Sequence, residues 1–116
     1  MKKLNFFLAA LTAVGLWACN YDSIIPEMPE CGEEVTYQDQ TREIIGLHCA
    51  TAGCHVAGGD GPNIYTTYNG LKTDLELGNV ENVIRTDLMP PLGSPDLSPE
   101  DRETLLCWIE DGYPEN

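Results

Sequence analysis

The chain has 116 residues, which is enough for one small domain. Nineteen acidic residues stand against six lysines and arginines, and the formal net charge is −13 at pH 7. Such a surface repels a phosphate backbone, so nucleic acid is excluded as a partner. The charge favours a partner with a cationic docking surface, although solubility outside the cell explains an acidic surface equally well.

Residues 1–18 have the layout of a secretory signal peptide. Two lysines open it, and an apolar stretch too short for a comfortable membrane span follows. The run Leu16-Trp17-Ala18-Cys19 resembles the bacterial lipobox, which implies cleavage before Cys19 and lipidation of that cysteine. We therefore expect an exported protein, anchored by lipid to a bacterial membrane and facing the periplasm or the cell surface. An uncleaved membrane-anchored helix or another cleavage point is the alternative.

Residues 19–35 are predicted to form an acidic tether that contains Pro26 and Pro29. The folded domain then covers residues 36–116. Apart from Cys19, four cysteines remain, at positions 31, 49, 54 and 107. Their even number is typical of an oxidising compartment, and they allow more than one disulfide pairing.

The apolar pattern predicts helices over residues 37–48, 65–77 and 80–86, with Gly78 as a stop. The last helix has the clearest signals. Ser98 is an N-cap, Pro99 fits the first helical position, and Gly112 ends the helix. Loops occupy residues 56–63 and 87–95, where glycine and proline are frequent. No strand of convincing length is present, so the predicted class is all-α, with three to four short helices and long loops.

The first helix leads into Cys49-Ala50-Thr51-Ala52-Gly53-Cys54-His55, which has the form C-x4-C-H. The commoner haem-attachment signature is C-x-x-C-H, in which the two thiols bond to the haem vinyl groups and the histidine ligates the iron. Two extra residues require the loop to bulge, and Gly53 can adopt the backbone angles that a bulge needs. By itself the motif is equally compatible with a disulfide or a metal knuckle.

Three features follow one another in the chain: a helix that ends in the Cys-Cys-His motif, the Met89-Pro90-Pro91 loop, and a terminal helix that contains Trp108. In this order they resemble a class I-like cytochrome c domain. More narrowly, the chain is similar to single-haem lipoprotein cytochromes of the Bacteroidetes type, in which C-x4-C-H variants occur. The resemblance covers about residues 31 to 115 and implies a small cytochrome c-like fold wrapped around one haem.

The resemblance implies a role for each matched residue. Cys49 and Cys54 would bond covalently to one haem c per chain, and His55 and Met89 would be the axial iron ligands. The carbonyl of Pro62 would accept a hydrogen bond from the His55 ring and so fix its tautomer. With two thiols assigned to haem, Cys31 and Cys107 are left as a disulfide pair. The neighbouring His48 is expected to be a helix-end residue, because a ligand adjacent to the first thiol is geometrically awkward.

The expected function is transfer of single electrons between redox partner proteins by a membrane-anchored cytochrome, without enzymatic turnover. Two alternatives stay open. One is a haem-free lipoprotein with two disulfides that acts as a binding or structural module. The other is a haem protein with an open distal site that acts as a peroxidase or gas sensor.

Overall fold

The computed structural model describes residues 31–116, and within this range all regular secondary structure is helical. The predicted all-α class is therefore confirmed, whereas the signal peptide, Cys19 and the tether before Cys31 lie outside the described residues. None of the described helices has both the length and the apolar character needed to cross a membrane. The chain first forms a π-helical turn (Tyr37–Thr41). Within the described residues four helices follow: α1 (Arg42–His48), α2 (Tyr68–Glu76), α3 (Asn79–Arg85) and α4 (Pro99–Glu110).

The first predicted helix is present, but its opening turn is π-helical. Thr36 caps this turn, since its hydroxyl oxygen accepts a hydrogen bond from the Asp39 amide at 3.3 Å. The Gln40 side chain reaches back and accepts from the Thr36 amide at 3.1 Å, an exchange of the capping-box kind. The Thr41 amide bonds to the Thr36 carbonyl five residues earlier, which is the π-helical spacing.

Helix α2 begins three residues later than predicted. Thr67 is its N-cap, and the Thr67 hydroxyl oxygen accepts a hydrogen bond from the Gly70 amide at 3.2 Å. Tyr65, which fits the helical periodicity, precedes the helix and makes contacts outside it. Gly78 separates α2 from α3 with a left-handed φ of 72°, as its assignment to a helix stop predicts.

Helix α4 agrees with its sequence signals and carries the centre of the core. The Ser98 hydroxyl oxygen accepts from the Asp101 amide at 3.0 Å, and Pro99 is the first helical residue. Trp108 is fully buried, and Leu105 is 1% exposed. The remaining core side chains come from every helix and include Tyr37, Ile44, Ile45, Leu71, Leu75, Val80, Ile84 and Leu106.

The two ends of α4 contact opposite ends of the first helical segment. At its start, the Asp101 carboxylate lies 3.7 Å from Nε2 of His48. At its end, the Trp108 ring centroid lies 6.1 Å from that of Tyr37. Trp108 Nε1 and the Tyr37 amide both donate to the Pro114 carbonyl at 2.9 Å. The first and last helical segments therefore contact each other at both ends and run in opposite directions.

Cys31 and Cys107 form a disulfide, with their Cα atoms 5.4 Å apart. The expected pairing is therefore present. Cys107 lies in the core and is 4% exposed, whereas Cys31 lies at the surface. The bridge ties the last part of the predicted tether to α4, so the chain enters the domain at a fixed point.

Candidate functional site

The Cys49–His55 segment folds into a tight turn directly after α1. The His55 amide donates to the Cys49 carbonyl at 3.1 Å, and the Cys54 amide donates to the Thr51 carbonyl at 2.9 Å. Gly53 adopts a φ of 83°, a conformation that other residues rarely take. The predicted bulge is therefore present, and it brings the first cysteine back beside the histidine.

Both cysteines of this turn are free and partly buried. Burial, with a further contribution from the nearby Cys54, raises the pKa of the Cys49 thiol to about 11. Cys49 and Cys54 do not share a disulfide in this structure. Two free cysteines and a histidine therefore lie on a single turn.

The His55 ring is fixed by contacts at its edge and at its face. Its Nδ1 lies 3.0 Å from the carbonyl oxygen of Asn63. A carbonyl only accepts hydrogen bonds, so Nδ1 carries a proton and donates it, and Nε2 is the ring nitrogen left for a metal. The Tyr65 ring stacks on the imidazole, with ring centroids 4.0 Å apart and planes inclined by 4°. The two contacts hold the imidazole in one orientation.

The carbonyl that faces the imidazole belongs to Asn63, so the prediction of Pro62 as the acceptor is wrong by one residue. Backbone hydrogen bonds on either side of Pro62 explain the difference. The Gly61 amide donates to the Cys54 carbonyl at 3.2 Å, and the Tyr65 amide donates to the His55 carbonyl at 2.9 Å. Together they hold the loop in a register that places the Asn63 carbonyl opposite Nδ1.

Two glycines allow this loop to lie directly on the motif. A Cβ atom on Gly59 would be 2.0 Å from the Cys54 carbonyl oxygen, and one on Gly61 would be 2.6 Å from His55 Nδ1. Neither position has room for a side chain. Sequence reasoning identified a loop here but missed this close approach, for which the two glycines after the motif were the available signal.

Asp74 on α2 is the residue beside His55 that sequence reasoning missed. Asp74 is 6% exposed. Its Oδ2 accepts hydrogen bonds from Tyr65 Oη at 2.6 Å and from Asn63 Nδ2 at 2.7 Å. Asn79 Nδ2 donates to Oδ1 at 3.1 Å. The available signal was its position three residues after Leu71, on the apolar face of the helix.

The protonation states in this network follow from burial and hydrogen bonding. Burial alone raises the pKa of Asp74, but the hydrogen bonds from Tyr65, Asn63 and Asn79 outweigh it and bring the pKa below its ordinary value. Burial, and then the hydrogen bond to Asp74, raise the pKa of the Tyr65 hydroxyl. Asp74 is therefore a carboxylate at neutral pH, and the proton stays on Tyr65.

The other two predicted candidates have different surroundings. Met89 follows α3, its amide donates to the Val83 carbonyl at 3.2 Å, and 39% of the residue is exposed. Its role as an iron ligand stays a prediction. His48 has Nδ1 3.2 Å from the Pro95 carbonyl and Nε2 3.7 Å from Asp101. Both of its nitrogens face α4 and the segment before it, as expected for a helix-end residue.

Apolar side chains that are exposed to solvent provide a test of whether a porphyrin fits this chain. Among the described residues, most of the large exposed apolar side chains lie next to the Cys-Cys-His turn or in the loop after α3. Such side chains cost free energy when left in water, and a flat apolar ring would cover them. Exposed apolar side chains at these two segments are therefore compatible with a covering haem ring. These side chains are Leu47, Ile64, Leu88, Met89 and Leu92.

In residues 31–116 no group of three or more histidine, cysteine, aspartate or glutamate side chains is arranged to hold a metal ion. Comparison with known proteins finds no matching family model, curated protein or solved structure.

The contact between Gly61 and His55 predicts different outcomes for two glycine substitutions. Gly61→Ala places a methyl group against the imidazole, so we expect it to lower the free energy of unfolding by about 1–3 kcal/mol. Gly46→Ala is the matched control. Gly46 is exposed within α1 and has open space at its Cβ position, so alanine should raise the free energy of unfolding by about 0.5–1 kcal/mol.

Urea unfolding followed by circular dichroism measures both changes. Equal stability of the Gly61→Ala and unmodified proteins would show that the loop does not pack on the ring as described.

Proposed function

We propose that this protein is a monohaem c-type cytochrome that carries single electrons and does not turn over a substrate. The observation that carries the proposal is the hydrogen-bond geometry of His55, whose Nδ1 faces the Asn63 carbonyl. This geometry leaves Nε2 as the ring nitrogen for a metal, on the same turn as two free thiols. Haem attachment uses that set of groups, namely two sulfurs for the vinyl groups and one imidazole nitrogen for the iron.

Each residue of the turn has a separate task in this proposal. Cys49 and Cys54 hold haem c through two thioether bonds, and His55 provides the proximal ligand. Met89 provides the distal ligand from the loop after α3. Haem c supplies the one-electron iron couple. The contacts of Asn63 and Tyr65 keep the imidazole in one tautomer and one orientation, so that the ligand does not rearrange when the iron changes oxidation state.

The setting of the domain is also part of the proposal. A lipid on Cys19 anchors the protein to a bacterial membrane, and the protein faces the periplasm or the cell surface. The Cys31–Cys107 bridge supports an oxidising location, because such bonds persist outside the cytosol. The acidic composition favours redox partners with cationic docking surfaces.

Two histidine substitutions test the proposal. Protein made with c-type haem-maturation machinery is expected to show the sharp low-spin bands of a reduced c-type cytochrome after addition of dithionite. His55→Ala should lose these bands because it lacks the proximal ligand, and His48→Ala should keep them. A spectrum without haem bands in the unmodified protein would contradict the proposal. If only His48→Ala loses the low-spin bands, the proximal ligand is His48 and the assignment to His55 is wrong.

Substitution of the predicted distal ligand separates electron transfer from the open-site alternative. Thioether sulfur favours reduced iron, so Met89→Ala should lower the reduction potential and allow carbon monoxide to bind the reduced protein. Met28→Ala, which removes the methionine of the tether, is the control and should change neither property. Redox titration and carbon monoxide difference spectra give the two measurements. Ready carbon monoxide binding by the unmodified protein, with no effect of Met89→Ala, would instead indicate a peroxidase or gas sensor.

A further inference from the structure

Asp74 places a buried negative charge beside the His55 site. Its three hydrogen-bond partners, Asn63, Tyr65 and Asn79, are all neutral donors. Neutral donors stabilise a carboxylate and disperse its charge, but they do not cancel it. The residue is 6% exposed, so water screens the charge weakly, and its field extends further than that of a surface carboxylate.

Two routes connect this carboxylate to the imidazole. The first passes through Asn63, whose side-chain amide donates to Asp74 Oδ2 while its carbonyl oxygen faces His55 Nδ1. The second passes through Tyr65, whose hydroxyl donates to the same oxygen while its ring stacks on the imidazole. One carboxylate oxygen thus holds the residue at the edge of the ring and the residue at its face.

We propose that Asp74 is a positioning residue for His55 and that its buried charge biases the bound iron toward the oxidised state. The inference rests on the proposed function, since it concerns the iron that His55 would ligate. Oxidised iron in a porphyrin carries one more positive charge than reduced iron, so a fixed negative charge nearby stabilises it preferentially. Proteins set haem reduction potentials through the burial of nearby charges and through hydrogen bonds to the residues that ligate the iron.

Two substitutions on α2 measure the effect of the charge in the haem-loaded, full-length protein. Asp74→Asn removes the charge with little change in side-chain size. It should therefore raise the midpoint reduction potential of the haem iron. We expect at least a tenfold shift in the redox equilibrium at fixed ambient potential, which corresponds to about 59 mV for one electron. Glu76→Gln is the control, because Glu76 is exposed on the same helix and pairs with Lys72 only through an open contact of 3.9 Å within residues 31–116.

Tyr65→Phe separates the charge from the packing. It keeps the ring that stacks on His55 and leaves Asp74 ionised, but it removes one donor from the carboxylate. The charge is then less dispersed, so the midpoint should stay at the control value or move negative. If the network acted only by holding the His55 ring in place, Tyr65→Phe and Asp74→Asn would shift the midpoint potential in the same direction.

Redox titration of these variants decides the inference. A positive shift in Asp74→Asn alone supports it. A shift no larger than that of Glu76→Gln, or an equal positive shift in Tyr65→Phe, overturns it. Should Asp74→Asn yield no loaded protein, Asp74→Glu takes its place. A loaded Asp74→Glu protein with a nearly unchanged midpoint supports the role of the charge, and loss of loading in this variant too overturns it.

Failure of the inference is distinguishable from failure of the proposed function. If the unmodified protein shows no c-type spectrum, the proposed function fails. If the unmodified and Glu76→Gln proteins show normal spectra and Asp74→Asn has an unshifted midpoint, only the role of Asp74 fails.

Discussion

The hydrogen bond between His55 Nδ1 and the Asn63 carbonyl is the contact on which the site depends. It decides which ring nitrogen carries the proton, and therefore which one can bind a metal. Other parts of the molecule serve this bond. Glycines at 59 and 61 let the loop approach the motif, and Asp74 holds the Asn63 side chain from α2. Without these supports the loop would be free to move and the imidazole could exchange tautomers.

Much of the fold could be predicted from the sequence because its signals are local. Ser98, Pro99 and Gly112 fix the limits of α4 through capping and backbone preference, which act within a few residues. The late start of α2 could not be read from apolar periodicity. Tyr65 fits the helical pattern, but its stacking on His55 and its bond to Asp74 keep it outside the helix.

The site was predictable in its residues and less so in its contacts. The spacing of Cys49, Cys54 and His55 identified the turn, and Gly53 adopts the bulge conformation expected of it. The acceptor for the imidazole was misplaced at Pro62, because the register of a glycine-containing loop depends on bonds to residues that spacing does not reveal. Asp74 escaped notice since a single acidic residue on an apolar helix face gains meaning only when the loop that it contacts is folded against it.

The most direct measurement is peptide mass spectrometry of protein made with haem-maturation machinery and digested without reduction. Attachment at the turn predicts a peptide that contains Cys49 and Cys54 and carries the mass of one haem through both sulfurs. It also predicts that a separate pair of peptides is joined through Cys31 and Cys107, as in the structure. Unmodified thiols at Cys49 and Cys54, or a disulfide between them, would contradict the assignment of this turn to haem.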